Sequence, residues 1–132
     1  MMPTHGAFDL DAIVRRFPAS SDTMLIDTRL TDEPEASCRV FRIYREVPAH
    51  FHATCDEYLL VISGRGTIFI GDSAPFEVTP GRLGFFKNGT VHALTVIEHA
   101  LAFLSVHTPR RAPQGTPCGN PAHRAPEQYA ST

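Results

Sequence analysis

The sequence predicts an all-β sandwich or barrel, and three observations carry that expectation. Seven or eight short runs rich in Val, Ile, Leu, Phe, Tyr and Thr fill the stretch from Thr23 to Val106. The breaks between them are made of Gly, Pro, Asn and Asp, which supply special backbone angles and end strand ladders. Only one segment, near the N-terminus, has a helical apolar period.

That segment comes first. Asp9 is placed to cap a short helix running to Phe17, with Leu10, Ile13, Val14 and Phe17 on one face and Pro18 ending it. The β-type runs follow as TMLIDTRL, CRVFRIYREV, EYLLVIS, TIFIG, APFEVT, RLGFFK, HALTVI and ALAFLSV. Their breaks include TDEPE, SGRG, GDSAP, TPG and KNGT. After Pro109 the chain becomes Pro-, Gly- and Ala-rich, with almost no large apolar residue. Such a stretch buries too little surface to fold alone and reads as an irregular Pro-rich tail or a strap. The expected division is an N-terminal segment with its short helix over 1–22, a barrel over 23–108 and the tail over 109–132.

Bulk properties exclude several classes. A chain of 132 residues suits one domain with its own core. The net charge of -2 gives no general attraction to a phosphate backbone, so nucleic acid is not an expected partner. No window approaches membrane-spanning length, and the first residues lack the apolar run of a signal peptide. Cys38, Cys55 and Cys118 are too few and too scattered for a disulfide framework. A reduced, cytoplasmic protein is the simplest reading.

The chemistry concentrates in HFHATCDE, His50 to Glu57. Side chains alternate along a strand, so His50 and His52 point the same way while Phe51 points into apolar packing. Glu57 begins the next run and can turn back toward the two imidazoles; Asp56 then faces away. His92, after the turn KNGTV, offers a third imidazole. Three neutral imidazoles and a carboxylate are a good donor set for one divalent transition metal. In six-coordinate geometry they leave two positions open, which is a catalytic arrangement rather than a closed structural one.

These residues resemble the cupin superfamily. His50-x-His52, four residues, Glu57, six residues and Gly64 resemble its first motif. Gly81, five residues, Lys87-x-Gly89, two residues and His92 resemble its second. The resemblance spans roughly residues 38–108 and fills all four metal-binding positions, His50, His52, Glu57 and His92. It departs from the pattern at Tyr44, where the first motif opens on Gly, and at Lys87 and Val96, where the second carries Pro and Asn. It implies a small jelly-roll barrel, the double-stranded β-helix, with iron, manganese, nickel, zinc or copper inside. It also implies a homodimer, and the apolar segment TMLIDTRL suits pairing across a two-fold axis.

Other residues are weaker candidates. Arg39 and Arg45 share one side of their strand and Arg42 takes the other. Without a bulge near Pro48, Arg42 and Tyr44 share the side of His50 and His52, which makes them candidates for substrate contact. His107, at the end of the last strand, is a candidate for lining the barrel mouth or supporting a ligand. Lys87 is the one candidate base for proton transfer, and no catalytic residue is otherwise assigned. Cys55 reads as an inert connection residue, and Cys118 and His123 as a superficial half-site. Two functions remain open: a metal-dependent enzyme acting on a small molecule, of dioxygenase or isomerase/lyase type, or a non-catalytic metal-dependent binding or sensing module.

Overall fold

A computed structural model describes residues 5–110. These residues form one helix, α1 (Leu10–Arg15), and seven strands. The strands are β1 (Leu25–Glu33), β2 (Ala36–Ile43), β3 (Val47–His50), β4 (Asp56–Ile70), β5 (Phe76–Val78), β6 (Leu83–Phe86) and β7 (His92–Thr108). The pairings among them are antiparallel. The order is β1-β2-β7-β4-β5, with β3 added to β7 and β6 added to β4.

Two long strands make the barrel. The first half of β4 pairs with β6 and the last half of β7, whereas its second half pairs with β5 and the first half of β7. β2 joins the last half of β7 and β3 the first. One continuous β4–β7 ladder therefore serves both walls of a jelly roll. The segments SGRG and EHA, which read in sequence as strand ends, are the bends in β4 and β7. Register slips between Val61 and Gly66 mark the corner. Gly64 takes φ 81° there, and a Cβ on it would lie 2.3 Å from the Ala100 carbonyl oxygen. Opposite it, His99 has φ 59°. Arg65, on the outside of the corner, pairs with Glu77 and Glu98.

Inside the barrel, Phe41, Ile43, Leu59, Val61, Ile68, Val78, Phe86, Leu94, Leu101 and Phe103 form the main core. A smaller core lies on the outer face, where Ile13 packs against Leu30 and Val40, with Leu10, Val14 and Phe17 around it. The helix is shorter than its apolar pattern, ending at Arg15, but buries the expected face. Asp9 caps it, its carboxylate accepting from the Ala12 N–H at 3.0 Å. Six residues are too few for a helix stable alone, so this packing holds it. The tail over 111–132, including Cys118 and His123, lies outside the described residues.

Candidate metal centre

Strand pairing alone brings the donors together. His50 at the end of β3 stands directly opposite His92 at the start of β7, and their ring centroids are 4.4 Å apart. Glu57 at the start of β4 stands opposite His107 at the far end of β7. In a flat strand, His92 and His107 would be ~50 Å apart at about 3.3 Å per residue. Here both approach one carboxylate: His92 Nε2 is 3.5 Å from Glu57 Oε1, and His107 Nε2 is 3.2 Å from Oε2. The bend at Gly64 and His99 thus closes the site.

His52 follows β3 in the connecting loop. Its carbonyl accepts from the Gly89 N–H at 2.8 Å, which ties the two histidine-bearing segments together. Its Nε2 lies 3.1 Å from Glu57 Oε1. His50, His52, Glu57 and His92 are all at most 7% exposed.

The imidazoles are oriented for metal. His50 Nδ1 lies 2.9 Å from the Pro48 carbonyl oxygen and His92 Nδ1 lies 2.9 Å from that of Thr90. A carbonyl only accepts, so each Nδ1 carries the proton and each Nε2 presents its lone pair. Phe86 stacks on the His92 ring at 4.0 Å and 4°, fixing its plane. Ligand atoms of His50, His52 and His92 lie within 4.8 Å of one another. Donors about 2.1 Å from one ion stand ~3–4 Å apart, so small side-chain shifts suffice to close on an ion. The residues fit a divalent transition metal.

Glu57 is held by its far oxygen. Ser105 Oγ donates to Oε2 at 2.8 Å, leaving Oε1 toward His52 and His92. Burial alone would raise this carboxyl, but the imidazoles of His107, His52 and His92 outweigh it and hold the group well below the ordinary carboxylate range. Burial, followed by the neighbouring His92 and His52, pushes His50 down from 6.5 to about 3. It is therefore neutral and ready to ligate at neutral pH.

Residues 43–107 match the family model described as the cupin domain. The barrel is a cupin domain. Its fold is shared with a Bacillus halodurans protein at TM-score 0.70 and 19% identity, covering 86% of this chain and 88% of that one. An uncharacterised Klebsiella pneumoniae protein with a double-stranded β-helix domain superposes at 0.65 with 23% identity, covering 78% and 89%. A cupin-2 domain protein from Shewanella frigidimarina does so at 0.63 with 14% identity, covering 76% and 93%. Comparison with curated protein sequences gave no match.

Within the cupin barrel, two expected substrate residues stand elsewhere. Arg42 donates to the carbonyls of Pro18 and Ala19, and the Tyr44 hydroxyl donates to that of Pro18. Both lie on the outer face, holding the N-terminal segment. Side-chain parity is not carried from β2 to the histidines, because the chain bends at Tyr44 and Arg45 between β2 and β3 and the β3–β7 register slips between Val47 and His50. Arg39 is 7% exposed, with Asp27 3.0 Å away and the Phe41 ring beneath it. Lys87, the candidate base, points outward to Asp56 at 3.2 Å. Asp56 faces away from the cluster as expected and also accepts from the Asn88 N–H at 2.8 Å. His107 is 2% exposed and lies inside the cluster. Ser105 is the member that sequence reasoning passes over, and Cys55 is the one it reads as inert.

Two outcomes follow from this geometry. Ser105→Ala removes the donor that aims Glu57 and should lower metal affinity by about 10–100-fold, read by competition with a metal-responsive dye. Acidification should destabilise the metal-free barrel. His50 has a folded pKa below its unfolded 6.5, so the unfolded chain takes up the proton first and stability falls between 6.5 and about 3. Glu57, also depressed, adds loss in the same direction as pH drops through the carboxylate range. The His50 part is on the order of 4–5 kcal/mol over the full window. Urea midpoints of chelator-treated protein should fall from pH 7 to about pH 4 with an unchanged m-value; a constant midpoint would contradict it.

Proposed function

We propose that the protein is a metal-dependent enzyme acting on a small organic molecule with oxygen donors, a carboxylate or sugar-like compound. The observation that supports this most is the buried cluster itself: His52 and His92 Nε2 lie 3.1 and 3.5 Å from Glu57 Oε1, and ligand atoms of His50, His52 and His92 lie within 4.8 Å of one another. His50, His52, Glu57 and His92 would hold one divalent ion, leaving positions for substrate. The ion would supply either dioxygen activation or Lewis-acid polarisation of a carbonyl. The chain's own residues bind and orient: Pro48 and Thr90 set the imidazole tautomers, Ser105 aims the carboxylate, and the surrounding apolar core excludes water. Burial strengthens every charge in such a site.

The reaction class divides by metal. Iron-loaded protein should consume dioxygen in the presence of an enolate or catecholate substrate; manganese- or nickel-loaded protein should turn over sugar or sugar-acid isomerase and lyase substrates. Metal-loaded protein that binds such compounds without turning any over would instead establish a binding or sensing module. We also place the protein in the cytoplasm as a homodimer. In support, no helix among the described residues is long and apolar enough to cross a membrane, and among those residues β1 lies at an edge of the sheet. A monomer mass by light scattering would overturn the dimer.

A further inference from the structure

We infer that the barrel contains a second metal position, built from His52, Cys55 and His107 and suited to a thiophilic ion such as Zn(II), Cu(I) or Cd(II). One ligand atom from each of these residues lies within 4.8 Å of the other two. All three side chains are buried, at 7%, 1% and 2% exposure. The His52 and His107 rings meet edge-on with centroids 5.3 Å apart.

A separate observation points to an ion. His107 Nε2 is buried and makes no hydrogen bond. Its 3.2 Å approach to Glu57 Oε2 is an ion-pair distance off the angle a hydrogen bond needs. Its contact with Glu57 is electrostatic but poorly aligned, so the nitrogen lacks a well-formed hydrogen bond, and coordination would supply a directed partner.

The donor chemistry differs from that of the three-histidine set. Two imidazoles and a thiolate favour softer ions, whereas imidazoles with a carboxylate accept harder ones such as Mn(II) or Fe(II). Cys55 ligates as thiolate, so its proton passes to solvent when the ion binds. Because His52 belongs to both sets, the two positions exclude each other. A hard ion settles toward Glu57, His50 and His92; a soft ion settles toward Cys55 and His107. The loop from His52 to Glu57 thus sorts ions by softness as well as binding them.

X-ray absorption at the zinc edge tests this directly. Cys38→Ser/Cys118→Ser leaves Cys55 as the sole thiol. Loaded with one equivalent of zinc, that chain should show a sulfur shell at ~2.3 Å beside nitrogen at ~2.0–2.1 Å. Adding His50→Ala should leave the sulfur shell in place while abolishing manganese binding, so failure here is separable from failure of the three-histidine site. A shell of nitrogen and oxygen alone overturns the proposal, and so does a sulfur shell that vanishes with His50→Ala. Wild type against Cys55→Ala gives the same comparison without the background substitutions.

Discussion

Gly64→Ala is expected to destabilise the barrel by on the order of 3–5 kcal/mol. Two effects add. The residue sits at φ 81°, and holding a side chain in that region costs about 1–3 kcal/mol. The new Cβ would also fall 2.3 Å from Ala100 O and 2.6 Å from Leu101 Cα, both backbone atoms of β7 that cannot turn aside. Relieving that overlap means moving the paired strand, at a further ~1–3 kcal/mol. Gly81 separates the two contributions: its φ is 93°, yet a Cβ there would meet nothing within 4 Å. Gly81→Ala should therefore cost only about 1–2 kcal/mol. Thermal unfolding should show Tm lowered by roughly 10–25 °C for Gly64→Ala and by a fraction of that for Gly81→Ala. Equal losses would mean that close packing at the corner is not what matters. Because the same corner brings His92 and His107 to one carboxylate, Gly64→Ala should weaken metal binding as well.

The second large effect is stabilisation by metal. The metal-free cluster is costly: three imidazoles and a carboxylate are shut away from water, and His50 is driven neutral. An ion that binds only the folded chain stabilises it by about 2.7 kcal/mol at a hundredfold excess over Kd and about 4.1 kcal/mol at a thousandfold excess. Chelator treatment should accordingly lower Tm by roughly 10–20 °C. His52→Ala should abolish the difference between loaded and stripped protein, since His52 belongs to both donor sets. A variant that still gained as much from metal would place the ion elsewhere.

Much of the centre is legible in the sequence because its donors obey local rules. The close spacing of His50 and His52 brings both into the cluster, although His52 lies in the loop after β3, and strand alternation turns Asp56 away when Glu57 turns in. The helix is legible from Asp9 and the Leu10, Ile13, Val14 pattern. What escapes depends on curvature. SGRG and EHA use the residues that end strands, and nothing local distinguishes an end from a bend inside a continuous ladder. His107 and Ser105 join the cluster only because β7 folds over; His107 is a candidate from its place at the strand end, whereas Ser105 shows no spacing to read. Carrying alternation across Pro48 places Arg42 and Tyr44 inward, whereas the bend at Tyr44 and Arg45 and the register slip between Val47 and His50 break that parity. Cys55 reads as an inert connection residue, and its nearness to His107 is not legible because the two are far apart in sequence.

At the centre of this account, the barrel holds a metal through its histidine and glutamate cluster. Metal content by plasma mass spectrometry tests it most directly, on untagged wild type and His52→Ala purified side by side without chelator. Near-stoichiometric metal in the wild type, lost in the variant, is the predicted result. Metal absent from both, even after reconstitution with each first-row divalent ion, would contradict it.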